Sequence, residues 1–194
     1  MSETTQVPTE TEPAAPRPVA QQTIVLVGLM GAGKTTVGKR LARELGLEFA
    51  DADAEIEKAA GISIPEIFEK YGEPAFREGE QKVISRLLDE TPHVLATGGG
   101  AFMNDDTRAS IKAKSASVWL DADIPILLER VGRKNNRPLL KTGDPETILR
   151  KLADERYPVY AEADIRVKSD GGAHEDVVEA IIDALATWWD KSNG

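Results

Sequence analysis

Residues 28–35 read Gly-Leu-Met-Gly-Ala-Gly-Lys-Thr, directly after the apolar run Ile24-Val25-Leu26-Val27. This is a complete G-x-x-x-x-G-K-[ST] string, placed where a strand should end and a helix begin. The chemistry it can do is phosphate binding. Glycines let successive backbone N–H groups turn toward phosphate oxygens, and the helix that starts there adds the positive end of its dipole. Gly31, Ala32, Gly33, Lys34, Thr35 and Thr36 are therefore the expected nucleotide contacts. In such a loop the lysine, here Lys34, reaches the outer phosphates as a point charge, and the Thr35 hydroxyl sits on Mg²⁺.

Four further groups of residues could join that chemistry. Asp51-Ala52-Asp53 closes the second apolar run. In an extended chain residues two apart face the same way, so both carboxylates would face the phosphate loop. One could help hold Mg²⁺ through water, and the other could accept a proton from an attacking hydroxyl. Asp53 also has a plainer reading, as the N-cap of a helix over 54–60. Thr97-Gly98-Gly99-Gly100 ends the third apolar run. Three consecutive glycines are costly in conformational entropy, and a plain turn needs one or two. They point to close approach by a ligand or another backbone. Arg77, in Phe76-Arg77-Glu78-Gly79-Glu80, opens a long helix, where a cation opposes the dipole. Either a functional anion or simply Glu80 is its partner. Last comes Glu129-Arg130-Val131-Gly132-Arg133-Lys134-Asn135-Asn136-Arg137-Pro138-Leu139-Leu140-Lys141, followed on the next helix by Arg156. This basic stretch reads either as a solvated surface loop or as a lid that closes on phosphates.

These groups must be held by elements with readable punctuation. Strands are expected at Ile24–Val27, Leu47–Ala50, His93–Thr97, Ser117–Leu120 and Ile165–Val167, with helices between them and after the last. Gly46, Gly61 and Gly72 each close a helical stretch. Ser63-Ile64-Pro65-Glu66 is a capping box with proline in the first turn. Asp144-Pro145 starts another helix. The last helix places Val178, Ile181, Ile182, Leu185 and Trp189 on one packing face. Strands alternating with helices imply an α/β fold with a parallel sheet covered on both faces, where ligands bind beyond the carboxyl ends of the strands.

Composition bounds the partners. The chain has 194 residues, which suits one domain over 23–194, and residues 1–22 are too poor in large apolar side chains to order. There is no cysteine, which excludes thiolate metal sites, disulfides and cysteine nucleophiles and fits a reducing compartment. With no apolar run near ~20 residues and no leader-like start, a cytoplasmic protein without membrane contact is expected. The formal net charge of −9 argues against nonspecific nucleic-acid binding. An acidic protein that binds an anionic nucleotide must concentrate its cations locally, which is why the arginines matter.

Taken in order, these motifs resemble the shikimate kinase family. The resemblance covers about residues 23–185. It is carried by Gly28–Thr36, Asp51-Ala52-Asp53, Phe76-Arg77 with Glu80, Gly98-Gly99-Gly100, Arg137-Pro138-Leu139-Leu140, and Arg156 before Tyr157-Pro158-Val159-Tyr160. It implies a three-layer P-loop kinase fold, similar to nucleoside-monophosphate kinases, with a five-stranded parallel sheet and a mobile lid over about 130–143. It implies transfer of the ATP γ-phosphoryl group to the 3-hydroxyl of shikimate, with Mg²⁺, by an enzyme that is usually monomeric. By resemblance Asp53 binds the shikimate hydroxyls and is the candidate base, and Lys34 and Arg137 share the catalytic work. Arg77 and Arg156 grip the shikimate carboxylate, and Gly99, flanked by Gly98 and Gly100, touches the substrate. Thr35 and Asp51 match the Mg²⁺-associated positions, and Arg130 and Arg137 the nucleotide-side arginines. The acceptor-binding segment would span about 51–90. Some family members carry a basic residue near the adenine after the last strand. Here Lys168-Ser169-Asp170-Gly171-Gly172 stands there, which leaves backbone contacts.

Two other functions fit the phosphate loop alone. A gluconate-type kinase of the same fold also phosphorylates a polyhydroxy carboxylate, but the arginine and glycine motifs favour shikimate. A GTP-dependent switch would need an N-K-x-D motif and an Asp-x-x-Gly at a strand end, and neither stands in place.

Overall fold

The computed structural model describes residues 21–133 and 143–193. Most of the expected tail and the central part of the expected lid, Arg137 included, lie outside the described residues. The elements run β1 (Thr23–Val27), α1 (Lys34–Leu45), β2 (Glu48–Asp51), α2 (Ala52–Ala60), α3 (Ile64–Leu88), β3 (His93–Ala96), a short 3₁₀ turn (Ala101–Met103), α4 (Asp105–Lys114), β4 (Ser115–Asp121), α5 (Ile124–Gly132), α6 (Pro145–Tyr160), β5 (Ile165–Lys168) and α7 (His174–Asn193). The strands form one sheet in the order β2-β3-β1-β4-β5, and every pairing is parallel.

The three inner strands are buried along their whole length, as expected for parallel strands covered on both faces. That is why β1 reads as an unbroken apolar run rather than an alternation. β4 starts at Ser115, two residues before the expected boundary. Its small polar residues are buried because their hydroxyls have partners: Ser115 Oγ donates to Ile111 O (2.6 Å) and Ser117 Oγ to Asp164 Oδ2 (2.6 Å). The edge strand β5 alternates, with Ile165 and Val167 inward and Arg166 and Lys168 outward. Both cations pair with the buried Asp121 at the end of β4, at 2.6 and 3.0 Å.

The punctuation performs as read. Gly46 and Gly61 cap α1 and α2 in the left-handed conformation. Ser63 and Glu66 form the reciprocal capping box, and Asp144 accepts from Thr147 N. Gly72, at φ 79°, does not end α3 outright but breaks its path, and the helix restarts through Pro74. Arg77 thus lies in the first turns of the second segment. On α7, Val178, Ile181 and Leu185 are buried and Ile182 and Trp189 pack against the core.

One close contact sets the height of α1 over the sheet. A Cβ on Gly38 would lie 2.6 Å from Phe49 Cε2 and 3.2 Å from Leu26 Cδ1. Only glycine lets the helix behind the phosphate loop rest on β1 and β2. Gly38→Ala is expected to lower the unfolding free energy by about 1–3 kcal/mol, the usual cost of overpacking. A urea midpoint shift at unchanged slope would register it. An unchanged midpoint would mean that Phe49 yields freely.

Candidate active site

The loop after β1 leaves the sheet at its carboxyl end and turns twice through glycines that only a residue without Cβ adopts easily. Gly31 has φ 84° and Gly33, the N-cap of α1, has φ 96°. The first turn of α1 therefore opens onto the loop with its N–H groups unused by the helix. Lys34 Nζ folds back onto Gly28 O (2.7 Å) and Leu29 O (3.0 Å). From α5, Arg130 Nη1 reaches Gly31 O and Ala32 O (both 3.3 Å) and the hydroxyl of Ser169 (3.2 Å). Ser169 is fully buried and donates in turn to Ala32 O at 3.0 Å. The end of β5 is thereby tied to the phosphate loop by a side chain, not only by backbone.

Beside the loop, the Asp51 carboxylate is engaged at both oxygens. Thr35 Oγ1 donates to Oδ2 (3.0 Å), and Asp53 N donates to Oδ1 (3.1 Å). The second bond is the N-cap of α2, so the cap is Asp51, not Asp53, and the helix starts at Ala52. The N-cap reading of Asp53 is therefore corrected, and so is the extended geometry assumed for both aspartates. β2 passes into α2 with no linker, and the two carboxyl groups are neighbours across a helix cap. Asp53 stands in the first turn of α2, on the exposed rim of the site.

Across from it lies the turn after β3. None of Gly98, Gly99 and Gly100 has a positive φ, so their backbone does not demand glycine. The space does. A Cβ on Gly98 would meet Asp53 Oδ1 at 3.0 Å and Glu80 Oε1 at 3.2 Å. On Gly99 it would meet Arg156 Nη1 at 3.0 Å, and on Gly100 both terminal nitrogens of Arg77 at 2.6 Å. Each glycine makes room for a different charged side chain, from α2, α3 and α6. The sequence suggested approach by a ligand or another backbone; the nearest groups are instead side chains, those of Asp53, Glu80, Arg77 and Arg156, with the Gly28 carbonyl oxygen 3.5 Å from a Cβ on Gly99.

Of the two sequence readings of Arg77, the pairing with Glu80 is the one observed. Arg77 pairs with Glu80 through Nη1 and Oε2 (2.7 Å) and reaches Glu73 at 3.3 Å, yet it also faces Gly100. Glu80 is almost fully buried, and its Oε1 has no hydrogen-bond partner among the described residues. Burial pushes its carboxyl above the ordinary value, against the opposing pull of Arg77, and nearby Asp53 adds to the rise. The Arg77 pKa is raised as well: burial disfavours its charge, but Glu80 and Glu73 outweigh that. The ring of Phe76 lies under the guanidinium at 5.1 Å.

A separate depression of about 290 Å³ lies among Glu48, Glu55, Arg86, Glu90 and His93. It opens at the amino ends of β2 and β3, opposite the phosphate loop, and Arg86 pairs there with Glu55 and Glu90. Ligands of parallel sheets bind at the other end.

The sequence model for shikimate kinase matches residues 30–186. The shikimate kinase of Caulobacter vibrioides is 60% identical over 168 residues, 87% of this chain and 84% of that protein. The chain belongs to the shikimate kinase family. The family member from Brucella suis is 48% identical over 89% of this chain and 86% of its own. Among solved structures, a shikimate kinase from Acinetobacter baumannii in complex with shikimate has a TM-score of 0.83 at 42% identity, over 87% of this chain and 95% of that one. A gluconokinase from Sinorhizobium meliloti shares the fold at a TM-score of 0.61 and 21% identity, over 86% and 93%. The family's five-stranded parallel sheet is the one observed here.

Sequence reasoning had not placed Ser169 or Tyr160, and it had left Glu80 as a mere partner. Nothing local marks Ser169, whose contacts lie 137 residues away in Ala32. Tyr160 carried a signal: it stands four residues after Arg156, on the same helical face.

The raised pKa of Glu80 has a sign for stability. Its contribution is fully present below the unfolded carboxyl value, near 4.5, and is lost as pH rises through the folded one. Glu80→Gln removes that titration. Urea unfolding from pH 4.5 to neutrality should therefore show the stability difference drifting in the variant's favour as pH rises. A constant difference would mean that Glu80 titrates normally.

Proposed function

We propose that this chain transfers the γ-phosphoryl group of ATP to the 3-hydroxyl of shikimate, giving shikimate 3-phosphate and ADP. The observation that carries the reading is the convergence of Asp53, Arg77 and Arg156 on one glycine turn beside the phosphate loop. A small carboxylate that bears vicinal hydroxyls needs a forked cation for the acid and an acceptor for a hydroxyl proton, and this arrangement holds both.

In the proposed step the acceptor oxygen forms a bond to the γ-phosphorus as the bond to the β–γ bridging oxygen breaks. ADP takes that electron pair, and Asp53 takes the hydroxyl proton. Lys34 leaves its carbonyls for the β- and γ-phosphates, while Arg130 steadies the loop that surrounds them. Phosphoryl transfer demands positioning and charge stabilisation more than covalent help. Arg77 and Arg156 fix the acceptor by its carboxylate, the 51–90 segment forms its binding wall, and the stretch after α5, with Arg137, closes over the phosphates to exclude water. Residues 130–132, expected in that lid, are instead the end of α5.

The residues present suit Mg²⁺ that arrives with the nucleotide. Thr35 and Asp51 offer adjacent hard oxygens, already linked by a hydrogen bond. Among the described residues no cluster of three or more His, Cys, Asp or Glu could hold a metal by itself. A shared site with phosphate oxygens is how Mg²⁺ usually binds. When bound, the ion offsets charge on the β- and γ-phosphates. The same reading takes the enzyme as a monomer in the cytoplasm. Among the described residues no helix is long and apolar enough to cross a membrane.

The test is ADP release in the presence of Mg²⁺ with shikimate or gluconate as acceptor. Turnover should require shikimate, and faster turnover on gluconate would overturn the assignment. Asp53→Asn should lower kcat by about 10²–10⁴, the range for a positioned base, with ATP affinity nearly unchanged. Activity within a few-fold of wild type would show that Asp53 is not an essential base.

A further inference from the structure

Tyr160 ends α6 with its side chain completely buried. Its hydroxyl donates to the carbonyl oxygen of Gly99, and the Arg156 guanidinium stands beside the same turn. A phenol has one proton and spare lone pairs, so while it donates to Gly99 it can also accept from a guanidinium. The position of a Cβ on Gly99 lies 3.7 Å from this hydroxyl and 3.0 Å from Arg156 Nη1. Three groups therefore meet at one point: the turn after β3, the guanidinium and the phenol. The ring is held from behind by Trp119 and Tyr157, with centroids at 6.0 and 6.3 Å.

We infer that Tyr160 is a positioning residue for the acceptor: its phenol locks the Arg156 guanidinium to the Gly99 turn, so that arginine and backbone present one preformed carboxylate site. This rests on the reading that Arg156 grips the acceptor carboxylate. Arg156 has five N–H donors in a fixed fork. A bond to the phenol uses one edge of the fork and leaves the rest for a bidentate partner. Burial raises the Tyr160 pKa, despite the opposing influence of Arg156, so the phenol keeps the proton that it gives to Gly99.

Tyr157 supplies the control. It stands on the same helix against the same Trp119, but its hydroxyl donates to Ala122 O at 3.1 Å and not to the Gly99 turn. A phenol that only stiffened α6 would act alike at both positions.

The experiment is steady-state kinetics of Tyr160→Phe, Tyr157→Phe, Arg156→Ala and the Tyr160→Phe/Arg156→Ala double variant. Tyr160→Phe should raise the KM for shikimate about tenfold or more, as expected for loss of a hydrogen bond to a charged group, with the KM for ATP unchanged. Tyr157→Phe should leave both constants alone, and Tyr160→Phe should add little once Arg156 is alanine. An unchanged shikimate KM in Tyr160→Phe, an equal rise in both KM values, or a full effect in the Arg156→Ala background would overturn the inference. An unchanged shikimate KM in Arg156→Ala would instead overturn the carboxylate clamp itself. A second measurement keeps the native hydroxyls: the chain has three tyrosines, and fluorine NMR of 3-fluorotyrosine-labelled protein should show the Tyr160 signal moving on addition of shikimate. A stationary signal would count against the inference.

Discussion

The site depends on a volume constraint at Gly98–Gly100. Four side chains that carry charge, Asp53, Glu80, Arg77 and Arg156, reach this turn from three helices, and each comes within 3.2 Å of where a Cβ would stand. The parallel sheet makes that meeting possible. β1 and β3 are neighbours, so the phosphate loop and the glycine turn leave the sheet side by side at the same end. The helices then supply Asp53, Arg77 and Arg156 from around the turn. A single methyl group in the turn would push a guanidinium or a carboxylate out of register without disturbing the sheet.

Charge is arranged on the same logic. The chain is acidic overall, at −9, yet its site cations are held within the fold by local acceptors. Lys34 and Arg130 rest on loop carbonyls and Arg77 on Glu80 and Glu73, while Arg156 stands at the Gly99 turn beside the Tyr160 phenol. Such tethering limits the side-chain freedom that must be lost when an anion binds. The buried Glu80 is the costly part of this design. Removing one partner of a buried pair usually destabilises strongly, because the other charge is left uncompensated. Its unpartnered Oε1 and raised pKa mark the place where the fold gives up stability at the site.

Much of this was legible in the sequence because it is local. The phosphate loop is eight consecutive residues, and capping boxes and helix-ending glycines act within a turn. The glycine triplet announced a close approach, but by a ligand or backbone and not by the charged side chains found there. What the sequence hid is long-range or transitional. Asp51 takes the cap expected of Asp53 because β2 runs straight into α2, and alternation along a strand no longer applies there. Ser115 disguised the start of β4, since its burial depends on a partner in α4. Ser169 and Tyr160 act on residues 137 and 61 positions away, which no window of sequence contains. Arg156 and Tyr160 are four apart on one helix, however, and that pairing was there to be read.

The central claim is that the glycine turn sets the acceptor site by leaving room for charged side chains. Calorimetric titration of shikimate into wild type and Gly100→Ala tests it most directly, with an ATP analogue titrated as the reference. The account predicts that the alanine, whose Cβ would fall 2.6 Å from both terminal nitrogens of Arg77, weakens shikimate binding about tenfold, or about 1.4 kcal/mol, with nucleotide affinity unchanged. Equal shikimate affinity in the two proteins would contradict it.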